Sequence, residues 1–345
     1  MDRTRAVATA SEGSAAEAAM AVLAKGNAVD AVIAGVFGAA AASASVLLGP
    51  VHLLFGGAGL GLRAVDGRTR QPGKGAPRPR GFTPEQTIAP ASRVGISALP
   101  AALAAALASS GTSTLSQVMA PAVASASGPR KDLLKKLAQR GPSYLASEPI
   151  AGEIVAACGR LAGGLVTVED LEDVLPAITP VDETPLAGGG RVATFVPWRL
   201  PLITERGAGE ARAGTHTEIV AATDHRGLFA VGCYERSDDG VRIEELDITA
   251  PFTATPVLRG QPRVRPGEAI LSAAPIALLR STSEAALDVA VAVARDPDAE
   301  RALGALLDAW SSDPTALAPV YTGMGALVGV IGSKSGASLL ARRTG

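Results

Sequence analysis

The chain has 345 residues, 47% of them hydrophobic and 19% charged, which excludes a disordered segment and supplies enough apolar surface for a large core. A formal net charge of −1 gives no long-range field to hold nucleic acid or an anionic membrane. Cys158 and Cys233 stand far apart, and His52, His216 and His225 are scattered, so the sequence argues against a disulfide framework, structural zinc or another metal centre, and no cofactor is expected.

The segment from Met1 to Arg5 runs straight into Ala-Val-Ala-Thr-Ala without an apolar stretch of signal-peptide length, so a cytoplasmic location is expected. Ser11 is placed to cap a helix running to Lys25, with Ala15, Ala18, Ala19, Val22 and Leu23 at helical spacing and Gly26 as its stop. Asn27 caps a second helix with Asp30 in its first turn. Ala31 to Leu48 carries no charge and has the length of a membrane span, but Ala, Gly and Ser insert weakly. The reading is therefore a core helix covered on several sides, which implies a multilayer fold.

The run Gly56-Gly57-Ala58-Gly59 enters a strand around Leu60 to Val65, with Asp66-Gly67 as a hairpin turn and Arg68 to Gln71 returning. A phosphate loop follows a strand and opens a helix, so close backbone packing is the better account of these glycines. Gln71 to Pro84 holds four prolines and three glycines and reads as an extended surface loop. Its arginines, with Arg63, Arg68, Arg70, Lys74, Arg78 and Arg80 in one basic stretch, have the chemistry to grip a carboxylate, although a solvated loop accounts for them as well.

Helical patterns recur at Ala101 to Ser109, Leu115 to Ser125, Lys131 to Arg140 and Pro149 to Leu161, and Thr167 caps a short helix to Leu175. Strands are predicted at Arg191 to Trp198, Thr215 to Thr223, Leu228 to Glu235 and Val241 to Thr249, with a turn at Asp224 to Gly227. Helices near Thr282 to Ala294 and Asp298 to Trp310 precede terminal strands near Gly325 to Ile331 and Ala337 to Ala341. This order suggests sheets packed together with helices outside.

Four phrases occur in fixed order: Gly26 to Ala31 after a helix, Gly56 to Gly59, Ala162-Gly163-Gly164-Leu165-Val166-Thr167-Val168-Glu169-Asp170-Leu171, and Thr215-His216 heading a strand. Together, over most of the chain, they resemble the gamma-glutamyltransferase family. The resemblance implies an α/β fold, the four-layer αββα sandwich of the N-terminal-nucleophile hydrolase type. It also implies one domain over 1–345, with 1–213 matching the family's large-subunit part and 214–345 the small-subunit part. Members of the family cut their own precursor to free a threonine, which attacks a γ-glutamyl amide with its own α-amino group as base.

The family's Thr-Thr-His opening falls on Gly214-Thr215-His216, so the nucleophile position is Gly214, which has no hydroxyl. Thr215 matches the supporting second threonine. The family's oxyanion-hole phrase Ser-Ser-Met-Ser-Pro falls on Leu271-Ser272-Ala273-Ala274-Pro275, which keeps Ser272 alone of the serines. By the same resemblance Lys74 replaces the arginine that holds the substrate carboxylate, and Asp247 stands for the aspartate that holds its amino group. A Ser-Ser-Gly-Gly phrase is replaced by Val196 to Leu200, and a long helical stretch by a short loop before Gly214. The resemblance thus implies a protein that has lost catalysis and acts as a binding, regulatory or assembly subunit, with a γ-glutamyl or other small amino-acid ligand and a homo- or hetero-oligomeric partner. The alternative is an active hydrolase or transferase that uses Thr215 as a shifted nucleophile with His216 and Ser272 in support.

Overall fold

The computed structural model describes residues 6–83, 85–195, 214–282, 287–310, 317, 321, 323, 325–333 and 336–343. The chain opens with β1 (Val7–Ala10), α1 (Gly13–Leu23), α2 (Ala28–Ala42), β2 (Val51–Gly57) and β3 (Leu60–Gly67). A helical stretch follows: α3 (Leu99–Ser110), α4 (Leu115–Ser125), α5 (Gly128–Arg140), α6 (Ile150–Cys158) and α7 (Val168–Glu172). Short strands β4 (Ala177–Pro180), β5 (Thr184–Pro185) and β6 (Arg191–Thr194) lead to β7 (Thr215–Thr223), β8 (Leu228–Ser237), β9 (Gly240–Ile243) and β10 (Ile248–Pro251). The described chain ends with β11 (Ile276–Arg280), β12 (Val289–Ala294), α8 (Ala299–Asp308), β13 (Ala326–Ser333) and β14 (Gly336–Arg343).

Two antiparallel six-stranded sheets form the centre, one in the order β1-β7-β8-β2-β3-β4 and the other β14-β13-β12-β11-β6-β5. They face each other through Leu54, Ile219, Ala221, Phe229, Val231, Ile276, Leu278, Ala290 and Val330, all buried. Alternation along the strands sends Val220 and Ala222 to the opposite face, where they pack with α1 and α2. On the far side Val289, Val291 and Val293 pack against Leu303, Leu306 and Leu307 of α8. The result is helix, sheet, sheet, helix: the four-layer αββα sandwich.

The buried residues of α1 are Ala15, Ala18, Ala19, Val22 and Leu23, the predicted stripe. Its N-cap residue is Glu12 rather than Ser11, because the Ser11 hydroxyl is turned to β7 and accepts from the Ile219 N–H at 2.8 Å. Asn27 caps α2 in a reciprocal pair: the Asp30 N–H donates to Asn27 Oδ1 at 3.0 Å and the Asn27 N–H to Asp30 Oδ2 at 2.9 Å. Every residue from Ala28 to Ala41 is buried, but the helix ends at Ala42, short of the expected Leu48. Among the described residues no helix is long and apolar enough to cross a membrane.

Several expected elements differ. Asp66-Gly67 is no hairpin turn: β3 runs through it, and the turn lies at Ala58 (φ 53°) and Gly59 (φ 86°), joining β3 to β2. Two successive positive φ values give the hairpin twist that suits flanking strands. The fully buried run Val51 to Phe55 lacks the alternation that would have marked it as a strand. Gly56 and Gly57 do serve close packing: a Cβ at Gly57 would lie 2.4 Å from the Gly227 carbonyl oxygen. Arg68 to Gln71 forms no strand, only single bridges from Arg70 to Ile96 and Ala269.

The expected strand Val241 to Thr249 is two strands, split by a turn at Glu244–Leu246 and by Asp247 at φ 52°. The expected helix Thr282 to Ala294 is not formed: its second half is the strand β12, because Val289-Ala-Val-Ala-Val-Ala is a period-two pattern buried on both faces, and 283–286 lie outside the described residues. Arg191 to Thr194 is a strand, whereas the rest of that expected element from 196, and the loop up to 213, lie outside the described residues. Thr215 to Thr223 is a strand with the expected bounds, hydrogen-bonded to β1 on one side and β8 on the other.

Candidate functional site

The head of β7 is where the candidate residues begin. Gly214 takes φ 74° and its carbonyl accepts from the Asp238 N–H at 2.9 Å, closing the turn beside β8. Thr215 shares the inter-sheet face of Ile219 and Ala221, and its Oγ1 lies 3.3 Å from Ser237 Oγ on the paired strand. His216 points the other way, with Nε2 3.8 Å from Asp238 Oδ2.

One turn of the pleat further on, the fully buried Glu218 gathers a charged cluster that the sequence reading missed. Its Oε2 accepts from Ser11 Oγ at 2.6 Å and its Oε1 from Arg295 Nε at 2.7 Å, while Arg236 Nε lies 3.8 Å away. Arg236 also approaches Glu12 at 3.5 Å, and Tyr234 donates to Glu12 Oε2 at 2.7 Å. The hydrogen bond to Glu218 raises the Arg295 pKa, and burial first, then Glu12, pushes the Tyr234 phenol well up. The cluster gives both Glu218 carboxylate oxygens a hydrogen-bond donor. A lone carboxylate immediately before the apolar run Ile219 to Ala222 was the signal available for it.

Ser272 is held elsewhere. Its Oγ lies 2.8 Å from Nε2 of His52, a buried residue of β2 packed at 4.4 Å against the Phe195 ring. Burial drives the His52 pKa down to about 3, against a raising effect from Asp66, so the imidazole is neutral. His52 is paired with Cys233, and Cys233 with Ile219, four residues along β7 from Thr215. The Cα atoms of His52 and Thr215 are thus separated by about 13 Å along the strands and about 10 Å across them. Cys233 and Cys158 are both buried, and burial pushes the Cys158 thiol up to about 12, so both are unreactive as placed.

Lys74 lies in the Pro/Gly-rich loop against α7. Its ammonium pairs with Asp173, and the Gly73 and Lys74 N–H groups donate to Asp170 at 2.8 and 3.0 Å. Asp170 also receives the Thr167 N–H at 3.1 Å, so the predicted cap of α7 anchors this loop as well. A cavity of about 250 Å³ opens here, lined by Arg70, Gln71, Lys74, Asp170, Asp173 and Leu175 among others. Asp247 is bound by Arg130 Nη2 at 2.9 Å and by Arg242. Burial would raise its carboxyl, but the hydrogen bonds from Arg242 and Arg130 outweigh that and hold it below the usual range. Lys74, Asp247, Ser272 and the head of β7 therefore have separate partners among the described residues. Among the described residues no three His, Cys, Asp or Glu side chains converge on a metal position.

Two facing antiparallel sheets between helical layers, with a buried strand headed at Thr215, define this chain as a protein of the N-terminal-nucleophile hydrolase fold. No family model matches its sequence, and no curated protein matches it by sequence. Among solved structures it is similar to cephalosporin acylase from Bacillus halodurans at 15% identity, covering 99% of this chain and 97% of that one with a TM-score of 0.67. It is also similar to LmbA2991HD at 13% identity, covering 99% and 97% with a TM-score of 0.68. Gamma-glutamyltranspeptidase from Pseudomonas nitroreducens is a partial neighbour, 19% identical over 52% of this chain and 68% of that one, with a TM-score of 0.45. Identities this low establish the shared fold and leave the activity to the residues themselves.

Proposed function

We propose that this chain is a catalytically silent protein of the N-terminal-nucleophile hydrolase fold that works by binding, as a regulatory or assembly subunit. The observation that carries the reading is Gly214. At the position that the gamma-glutamyltransferase resemblance gives to the nucleophile there is no side chain, so neither the self-cleaving acyl shift nor an acyl-enzyme forms there. The neighbouring assignments support it: Ser272 is bound to His52, and Asp247 to two arginines. An oxyanion needs donors aimed at one point, and loss of a single donor typically costs about 10²–10³ in rate. On this reading 1–213 and 214–345 remain one unbroken chain.

A second reading rests on Thr215, whose hydroxyl opens β7 on the inter-sheet face and whose α-amino group would be freed by a cut after Gly214. Intact mass spectrometry and release of a chromophore from a γ-glutamyl anilide separate the two. One species near 34.6 kDa with no release above background is expected. Two fragments meeting at Thr215 would overturn the silent reading and make Thr215 the nucleophile.

A further inference from the structure

Two proline-rich segments lie side by side, residues 71–83 and 255–268. Gln71 N–H donates to the Glu268 carbonyl at 2.9 Å and Gly267 N–H to the Gln71 carbonyl at 2.8 Å. At the other end Phe82 bridges Leu258, and Arg259 N–H donates to the Phe82 carbonyl at 2.8 Å. The segments bring together five arginines that are distant in sequence: Arg78 and Arg80 from the first, Arg259, Arg263 and Arg265 from the second. All five are exposed, and among the described residues none makes an ion pair or a side-chain hydrogen bond. The carboxylate of Glu268, in the second segment, is turned to the backbone N–H of Arg265 at 2.9 Å.

Arg78 and Arg263 flank a small cavity of about 90 Å³ whose floor is apolar, made by Pro77, Pro79, Val257 and Pro266 with their neighbours. Guanidinium groups bind carboxylates bidentately, and the apolar floor accepts side chains lying between them. We infer that this face is a docking surface for an acidic, extended polypeptide segment of a partner protein. Charge complementarity selects the occupant, and the floor selects a chain with apolar residues between its carboxylates. Neither segment presents an exposed aromatic ring on which a base would stack, which disfavours single-stranded nucleic acid. The inference gives a partner chemistry to the binding role proposed above and rests on that reading.

The test is fluorescence anisotropy on the purified full chain with a fluorescein-labelled peptide of Glu-Val-Pro repeats, beside the same peptide with Gln for Glu. Saturable binding of the glutamate peptide, weakened by added salt, is expected. Arg78→Glu with Arg263→Glu is expected to raise its Kd by about tenfold, and Arg259→Glu with Arg265→Glu likewise. Lys131→Glu with Lys135→Glu, on α5, is expected to leave Kd unchanged. Thermal melting of each variant confirms that the fold is kept. Equal binding of the glutamine peptide, or an unchanged Kd in both arginine pairs, would overturn the inference. So would tighter binding of oligothymidylate or of phosphatidylserine vesicles. The intact mass of the same preparation reports on catalytic silence independently, so either idea can fail while the other stands.

Discussion

Gly214 adopts a backbone that a β-branched residue rarely takes, at φ 74°, while the space around it is ordinary: a Cβ there would meet Asp238 and Asp239 at 3.5 Å. The cost of Gly214→Thr is therefore backbone strain of about 1–3 kcal/mol. The variant is expected to melt earlier than the parent and to stay uncut; a self-cleaving variant of parental stability would show that the hydroxyl alone was missing. His52 sets a second residue-scale expectation. It is neutral when folded, with its pKa lowered from 6.5 to about 3, among Asp66, Arg68 and Cys233. Below pH 6.5 the unfolded chain takes up a proton that the folded chain refuses. Stability from this group is thus full above that pH and is lost as the pH falls toward 3. Urea midpoints measured across this window should fall more steeply for the parent than for His52→Gln; parallel curves would remove His52 as the cause.

At the scale of elements, α2 carries the most packing. It lies between the first sheet and the helices α1 and α4, with Phe37 among the largest fully buried side chains. Close approach is possible because Gly35 faces Val220 and Gly38 faces Ala18, where a Cβ would come within 2.8 and 2.6 Å. A helix so enclosed cannot relax around a hole. Phe37→Ala is expected to cost about 3–5 kcal/mol by chemical denaturation; a loss below 1 kcal/mol would mean that the layers collapse onto the gap. The strand β7 shows the opposite economy. Its two faces belong to two different cores, so its register is fixed by both at once.

Across the whole molecule, the two sheets are joined by more than apolar contact. The Arg295 N–H, just past β12 in one sheet, donates to the Thr217 carbonyl of β7 in the other at 2.9 Å, and its guanidinium reaches Glu218 and the Ser11 carbonyl. Arg295 holds φ 56° to do so. Removing it leaves a fully buried carboxylate with its serine and a more distant Arg236. Arg295→Ala is expected to cost about 3 kcal/mol, the lower end for breaking a buried pair because Arg295 is itself partly exposed. Recovery of most of that loss in the double variant Arg295→Ala, Glu218→Gln would locate the penalty in the stranded charge, and no recovery would argue for lost packing instead.

Local signals in the sequence already determined much of this protein. The stripe of α1 and the capping pairs Asn27 with Asp30 and Thr167 with Asp170 depend on spacing and on hydrogen bonds within a few residues, and the apolar run and following turn marked β7. The ordered glycine and threonine phrases carried the fold, because close approaches such as Gly57 on Gly227 tolerate no other residue. Long-range partners decided the rest. Val289 to Ala294 became a strand because it is buried on both faces between the nearby β11 and the more distant β13. Glu218 is tolerable in an apolar strand only because Ser11 and Arg295, more than two hundred and more than seventy residues away respectively, meet it there. Ser272, Lys74 and Asp247 could be picked out by type, but their hydrogen-bonding partners are set by how the chain packs. Only the tertiary structure gave Ser272 to His52, Lys74 to Asp173 and Asp247 to Arg130 and Arg242.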